Sequence, residues 1–236
     1  YDALGRLQQV VEAPGSLNYS TTYGYNLLDN LTSVQQGAQT PRVFAYDSAG
    51  RLQSATNPES NTTQYAYDDN TNLTLKTDGR MITTSREYDA LDRVLSITAS
   101  GQTLARFCYD GQSASGAGCT GSPTVKGVLT GVWSPASATS YVPDVLGRIT
   151  ASTQTTGGVA YGFSYEYNVD ASLKGLTYPS GRSVTYSFDQ AGRVSAVAGY
   201  AYSVAYASQG AISQMALVNG VVETWTYNER LQAQTV

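Results

Sequence analysis

The residues best suited to chemistry in this chain are acidic, and some of them occur close together. Asp68 and Asp69 adjoin each other, and Asp89 lies three residues before Asp92. A glycoside hydrolase needs two carboxylates that face one cleft, so both pairs are candidates for acid–base catalysis. The chain contains no histidine, which removes the commonest general base and the commonest metal ligand.

The positions of these acids favour a structural role. Each pair begins at a point of a recurring motif where Asp is expected to bond to the backbone of a turn. Two cysteines supply too few ligands for a zinc site, and no Gly-Lys-Ser/Thr phosphate loop occurs. The sequence therefore predicts a protein that is not an enzyme, with no catalytic residue, no cofactor and no metal site.

The motif is Tyr-Asp-x-x-Gly-Arg-Leu, which begins at Tyr1 and returns at Tyr46. Degraded copies follow, and the most frequent spacing between copies is 21 residues. A fixed short period indicates one supersecondary unit stacked many times. We therefore expect a single repeat domain over residues 1–236, with eleven units that start near residues 1, 25, 46, 67, 88, 109, 143, 167, 188, 206 and 227.

Individual positions of the motif indicate β-hairpins. The first position is aromatic in ten of eleven copies, and a second aromatic precedes it by two residues in eight of the ten copies that have that position. A spacing of two places both rings on one face of a strand. The residues assigned a structural role are Tyr1, Asp2, Gly5, Arg6, Tyr25, Tyr46, Asp47, Gly50, Arg51, Tyr67, Asp68, Tyr88, Asp89, Tyr109, Asp110, Gly147, Arg148, Tyr167, Phe188, Asp189, Gly192, Arg193 and Tyr227.

The Asp-x-x-Gly segment is typical of a hairpin turn, and a second strand is expected to leave from the Leu position. Apolar residues often recur three positions after that Leu, which indicates either a bulge or a Leu still inside the turn. The tyrosines of successive copies are expected to stack as a ladder. For the arginines we prefer packing across a neighbouring tyrosine or bonding to a turn Asp over recognition of sugars or carboxylates.

The gap between Tyr109 and Pro143 is longer than the others and contains an insert rich in Gly, Ser and Ala at 111–126. This composition is typical of an exposed loop. The two cysteines, Cys108 and Cys119, bracket the first half of the insert. The arrangement predicts a disulfide at the base of the loop, and the alternative is two reduced thiols.

The repeated Tyr-Asp dipeptide followed by Gly-Arg-Leu resembles the YD repeat of RHS proteins, and the resemblance extends over the whole chain. It implies an all-β fold in which a continuous antiparallel sheet of repeated hairpins winds as a spiral and builds a hollow shell. The implied function is a structural wall segment of a secreted shell that encapsulates or presents a C-terminal effector or toxin. The alternative is an extracellular carbohydrate-binding or adhesion module.

In that family a self-cleaving segment with an Asp-Pro-x-Gly signature and a variable toxin follow the repeats, and neither occurs in this chain. We therefore expect the activity of the parent to lie elsewhere. The chain opens inside one repeat and stops inside another, so two unpaired sheet edges are expected, with end-to-end pairing of copies or a longer parent protein.

Charge and hydropathy limit the classes of partner that the chain is expected to bind. The net charge is −4 and the sequence pI about 4.8, which disfavours nucleic acid, and no apolar run is long enough to cross a membrane. The expected partners are neighbouring repeats, an encapsulated effector and, under the alternative function, glycans. The expected location is extracellular or at the bacterial cell surface.

Overall fold

The structure is a computed structural model that describes residues 1–13, 15–16, 18–116, 118–121 and 125–235. The described residues form 24 β-strands joined by turns, with no helix among them. The chain divides into two compact units, Tyr1–Phe107 and Cys108–Val236. Twenty strands belong to an antiparallel sheet, and two further pairs of strands stand apart from it. The prediction of an all-β fold built on a large antiparallel sheet of hairpins is confirmed.

In the first unit each strand pairs with the strand before it and the strand after it in the chain. The ten strands are β1 (Gln9–Glu12), β2 (Tyr19–Tyr25), β3 (Leu31–Gln36), β4 (Arg42–Tyr46), β5 (Leu52–Asn57), β6 (Asn61–Tyr67), β7 (Leu73–Thr77), β8 (Thr83–Tyr88), β9 (Val94–Ala99) and β10 (Gln102–Tyr109).

The second unit repeats the same order from β13 to β22, while β11 pairs with β12 and β23 with β24. Its strands are β11 (Ser113–Ser115), β12 (Gly118–Thr120), β13 (Leu129–Trp133), β14 (Ser137–Pro143), β15 (Ile149–Thr156), β16 (Val159–Tyr167), β17 (Leu173–Thr177), β18 (Ser183–Phe188), β19 (Val194–Val197), β20 (Ala201–Tyr206), β21 (Ile212–Leu217), β22 (Val222–Thr224), β23 (Thr226–Tyr227) and β24 (Ala233–Thr235).

The motif forms the turn of each hairpin, as the one between β4 and β5 illustrates. The Asp47 N–H donates to the Arg51 carbonyl (2.9 Å), and the Gly50 N–H donates to the Asp47 carbonyl (3.0 Å). Gly50 has φ +77°, a left-handed conformation that glycine adopts at little cost. The Asp47 Oδ1 atom accepts the N–H groups of Ala49 (3.0 Å) and Arg51 (2.9 Å). Asp recurs in the motif because its side chain satisfies two loop donors.

A bulge follows the motif turn between β4 and β5 and resolves the apolar spacing of three. The same register shift occurs at the motif turns after β2, β6, β8, β14, β16, β18 and β20. Tyr46 pairs with Leu52, whereas the preceding Ala45 pairs with Ser54, so Gln53 is the extra residue. Leu52 is therefore already in the strand, and of the two possibilities left open by the sequence the bulge is the one observed. The bulge restores Leu52 and Ala55 to the same face as Tyr46, because an extra residue shifts the alternation by one.

The two faces of the sheet differ in burial. We call the face that carries Phe44, Tyr46 and their equivalents the aromatic face. On β4 these rings are half-buried, while Val43, which precedes Phe44, is 45% exposed on the other side. The hydrophobic residues buried outright in the described part are Cys108, Val184, Ala201 and Ala216. Val184 and Ala201 lie on the aromatic face, whereas alternation along the strands places Cys108 and Ala216 on the other face. The core is thus thin, and few side chains are buried outright.

The accessible surface supports the same view. It amounts to 14919 Å², against about 10,000 Å² for a compact monomeric protein of this mass. Apart from the short β11–β12 hairpin, which packs on β13 and β14, the described strands contact only their neighbours in the sheet. Most side chains consequently keep partial contact with water.

The insert is more ordered than an exposed loop, because β11 and β12 form a short hairpin within it. Cys108 and Cys119 are joined by a disulfide with a Cα–Cα distance of 5.5 Å. A Cβ at Gly131 would lie 2.7 Å from the Ala114 nitrogen, so β11 approaches the sheet where a side chain is missing. Residues 117 and 122–124 of the predicted insert 111–126 lie outside the described residues.

Candidate functional site

Motif residues from neighbouring repeats meet at the turn end of each hairpin. The Arg51 Nε atom lies 2.7 Å from Asp47 Oδ2 in its own turn, and its Nη1 atom donates to the Asp68 carbonyl of the next turn (2.9 Å). Its Cζ atom lies 5.0 Å from the ring centroid of Tyr67. We call this group, Asp47, Arg51 and Tyr67, a staple, because it fixes one hairpin to the next.

A tyrosine hydroxyl adds a second link between hairpins. Tyr67 donates to the Leu52 carbonyl at 3.0 Å, next to the bulge at Gln53. Burial raises the pKa of Tyr67, so the hydroxyl stays protonated and remains a donor. The same bond joins Tyr25 to Leu7 (2.9 Å), Tyr46 to Leu31 (3.0 Å), Tyr88 to Leu73 (2.9 Å), Tyr167 to Ile149 (2.8 Å), Tyr206 to Val194 (2.8 Å) and Tyr227 to Ile212 (2.7 Å).

Three further staples have an arginine bonded to its turn Asp and lying over the next tyrosine. They are Asp2–Arg6–Tyr25, Asp144–Arg148–Tyr167 and Asp189–Arg193–Tyr206, with Cζ-to-centroid distances of 4.9, 5.0 and 4.4 Å. Arg93 likewise pairs with Asp89 at 2.7 Å. The arginines thus make both of the structural contacts that the sequence favoured.

The other assigned residues also lie in or beside the repeat turns. Gly5, Gly147 and Gly192 occupy the left-handed position of their turns, with φ +79°, +80° and +74°. Asp110 caps a turn that the insert interrupts, since its Oδ1 accepts the Gly127 N–H at 2.7 Å. Phe188 pairs with Val194 at the same register as the tyrosines but lacks a hydroxyl, and Tyr1 is 84% exposed.

The expected ladder of ring on ring is replaced by rings alternating with arginines. Equivalent tyrosines are separated by two strand spacings, about 10 Å, which exceeds the 4.5–7 Å of a ring contact. The guanidinium of the preceding repeat fills that space. A direct ring contact does occur between Phe163 and Tyr178, at 5.9 Å and 64°, but these residues belong to different positions of the repeat.

The turn acids are held as anions. Hydrogen bonds from the backbone and then the side chain of Arg51 lower the pKa of Asp47, and the same causes act on Asp189 through Arg193. At Asp89 burial raises the pKa, but the hydrogen bonds from Arg93 outweigh it and the pKa is lowered. A general acid needs the opposite shift, so these carboxylates are suited to structure.

The acidic pairs found in the sequence are engaged in the same way. Asp68 accepts the backbone and side-chain donors of Asn72 at 2.8 and 3.1 Å. Asp92 accepts the side-chain amides of Asn70 (2.9 Å) and Asn72 (2.7 Å) across to the neighbouring turn. Among the described residues no group of three or more His, Cys, Asp or Glu could hold a metal. The described residues contain no helix that is long and apolar enough to span a bilayer.

Arg182 was not identified as a candidate from the sequence, and it forms part of a different cluster of residues. Tyr178 and Arg182 close a turn with the backbone pattern of the motif, Tyr178 N–H to Arg182 carbonyl at 2.8 Å and Gly181 N–H to Tyr178 carbonyl at 2.9 Å. This turn lies at the opposite end of the hairpins. The Gly-Arg dipeptide at 181–182 was the available signal, but Tyr178 replaces the Asp at the second position of the motif.

Comparison with known proteins agrees with the repeat pattern. The RHS Repeat family model matches residues 46–80. No curated protein sequence matches the chain.

Solved structures share the fold at low sequence identity. The Photorhabdus luminescens Tc holotoxin pore with a TccC3 variant is 13% identical, with a TM-score of 0.76 over 99% of this chain and 13% of that one. The TcdB2–TccC3 complex is 13% identical, with a TM-score of 0.75 over 91% of this chain and 13% of that one. TcdB2–TccC3 with Cdc42 is 13% identical, with a TM-score of 0.74 over 91% of this chain and 12% of that one.

The chain therefore spans about an eighth of the length of these structures, and at this identity the likeness concerns the fold. The family match itself covers residues 46–80, and the eleven motif copies with the shared fold support the interpretation of the whole chain as RHS (YD) repeats.

Proposed function

We propose that this chain is a structural wall segment of a secreted shell that encapsulates or presents a C-terminal effector. The observation that carries the proposal is the aromatic face, a broad half-buried surface with no second layer over it in the described part of the chain. Large apolar surfaces left open to water are unfavourable unless a partner covers them. A sheet that forms the wall of an enclosure turns one such face toward its contents.

The staples supply what a wall without a conventional core requires. Each one links a hairpin to the next through an ion pair, a cation over a ring and a hydroxyl bond, as at Arg51 and Tyr67. These contacts join consecutive hairpins only. Further hairpins can therefore be added without changing the existing ones. A repeated local link therefore suits a wall that extends over many repeats.

The proposed location is outside the cell, and the proposed partners are adjoining repeats and the enclosed effector. The Cys108–Cys119 disulfide is of the kind that persists in oxidising compartments. A net charge of −4 favours neither nucleic acid nor an anionic membrane surface.

Glycan binding through the repeat tyrosines has less support. Stacking of a sugar on a tyrosine needs an accessible ring face, and a free hydroxyl would add a hydrogen bond. The Tyr67 ring has Arg51 over one face and its hydroxyl is bonded to Leu52. We therefore favour the wall function.

Electron cryo-microscopy of the intact parent protein tests the proposal. The expected image shows the aromatic face bounding an enclosed volume that contains downstream residues. Those residues should also resist protease in the native protein and become cleavable after partial denaturation. An aromatic face covered by another folded domain, or a downstream segment cleaved as fast in the native state as in the denatured state, would contradict a wall function.

A further inference from the structure

An apolar depression lies on the aromatic face of the second unit. We call it the tyrosine groove, and its volume is about 480 Å³. Two residues of its floor, Val184 and Ala201, are each only 3% exposed. The groove is lined further by Tyr178, Tyr186, Tyr200 and Met215.

Strand register explains why these side chains converge. Val184 pairs with Leu176, and Tyr186 pairs with Val197, so both belong to the aromatic face. Tyr178 lies two residues beyond Leu176 on that face. Tyr178 and Tyr200 form the rim and keep 37% and 41% of their surface exposed. The groove is therefore open to a ligand while its floor is dry.

A cation lies at the rim of the groove. The Arg182 Cζ atom is 4.4 Å from the Tyr200 ring centroid. A second depression of about 370 Å³ beside Arg182 shares Tyr178 and Tyr200 with the groove. The two depressions form one surface with apolar walls and a positive end.

Arg182 differs from the arginines of the staples. Arg148 and Arg193, in the same unit, each pair with a turn carboxylate at 2.7 and 2.8 Å. Among the described residues no carboxylate lies within ion-pair distance of Arg182, whose side chain is exposed. Its charge is held against a ring with its planar donors still available, which is suited to binding a carboxylate.

We propose that the tyrosine groove binds a peptide segment in which a large apolar residue adjoins an acidic one. The apolar side chain enters between Tyr178, Tyr200 and Met215, and the carboxylate accepts from the Arg182 guanidinium. The charge complementarity at Arg182 selects an acidic segment, and the dry floor at Val184 selects an apolar side chain beside it. The inference deepens the proposed wall function, because the groove opens on the face assigned to the interior and its occupant is a segment of the enclosed effector.

Two blocked peptides test the proposal on the 236-residue chain, acetyl-Leu-Phe-Glu-amide and the same peptide with Gln in place of Glu. NMR titration of the Met215 methyl group and the tyrosine ring signals gives the affinity and the place of binding. The Glu peptide should bind roughly threefold to tenfold more tightly than the Gln peptide, as expected for a partly exposed charge-assisted hydrogen bond. Added salt should reduce this difference.

Two variants separate recognition from folding. Arg182→Gln should lower the affinity for the Glu peptide to that for the Gln peptide and leave the latter unchanged. The matched control Arg230→Gln removes another exposed arginine of the same unit and should change neither affinity. Equal affinities in the unmodified chain, no saturable shift at Met215, or an equal loss in the control would overturn the groove assignment. The titration does not depend on enclosure, so such a result leaves the wall function to its own imaging test.

Discussion

The repeat turns at Asp47–Arg51 and at Ala207–Ala211 have the same backbone but different side chains. The closing hydrogen bond from the first residue to the fifth measures 2.9 Å in one and 2.8 Å in the other. The following tyrosines, Tyr67 and Tyr227, both bond to the carbonyl beside the preceding bulge, at 3.0 and 2.7 Å. Only the first turn has the Asp and the Arg that complete a staple.

This difference separates the parts of the motif. Glycine in the left-handed position and the bulge are sufficient for the turn, since Gly210 has φ +92° in a turn without Asp. The tyrosine hydroxyl bond also forms without an arginine. The ion pair and the cation over the ring are therefore additions to a hairpin that already forms. The tyrosine is expected to contribute more to the free energy of unfolding than either of them.

Removing a stapled tyrosine should have the largest effect. Tyr67→Ala is expected to lower the free energy of unfolding by about 2 to 4 kcal/mol, through lost burial and a cavity. Tyr67→Phe should cost about 1 kcal/mol, because it removes the hydrogen bond from the hydroxyl to the Leu52 carbonyl. Denaturant unfolding measures both. The control is Tyr202→Ala, whose ring is 61% exposed, and a loss there as large as at Tyr67 would contradict the assignment of the column to the core.

The insert departs further from the complete repeat, and the Cys108–Cys119 disulfide joins it to β10. Replacing Cys108 and Cys119 together by Ala should lower stability by about 2 to 3 kcal/mol, since the disulfide closes a loop of about 12 residues. Alkylation without reductant followed by mass spectrometry should find no free thiol in the unmodified chain. Two labelled thiols would refute the bridge.

A staple built where none exists sharpens the comparison. Ala207→Asp with Ala211→Arg restores the motif before Tyr227, and the new Asp can accept two turn N–H groups while the new Arg covers the ring. We expect a gain of about 0.5 to 1 kcal/mol in the free energy of unfolding. Each single change should give less than the pair. A pair that destabilises the chain would show that the turn at 207–211 excludes a staple.

The pH dependence of the staple has a defined sign. Hydrogen bonds from Arg51 lower the pKa of Asp47 below its ordinary value of 3.8, so the stabilisation is complete above that value and is lost as pH falls through the lowered pKa. The stability difference between the unmodified chain and Asp47→Asn should therefore be constant near neutral pH and shrink below about pH 4. A stability difference that grew as the pH fell would contradict the assignment of Asp47 as a stabilising anion.

The sequence predicted the parts of the fold that depend on local pattern. The aromatic spacing of two predicted the strands, and Asp-x-x-Gly predicted the turns. The apolar spacing of three indicated a bulge as one of two possibilities, and the bulge is observed at Gln53. Each of these signals lies within one hairpin, so a single copy of the motif is enough to read it.

The contacts between hairpins were less accessible from sequence. Arg51 and Tyr67 are 16 residues apart, and their approach depends on register across two strands. The groove at Tyr178, Arg182 and Tyr200 was missed because it combines three hairpins and a turn in which Tyr replaces Asp. The hairpin within the insert was missed because Gly, Ser and Ala give weak strand signals, and its order depends on contacts with β13.

The contact between Arg51 and Tyr67 is the central claim, because it makes the motif a link between repeats rather than a recognition site. A double-mutant cycle with Arg51→Met and Tyr67→Leu tests it most directly. The expected coupling free energy is about 0.5 to 1 kcal/mol, while the pair Arg51 and Tyr227, whose repeats are not adjacent in the chain, should show none. A coupling indistinguishable from zero for Arg51 and Tyr67 would contradict the staple.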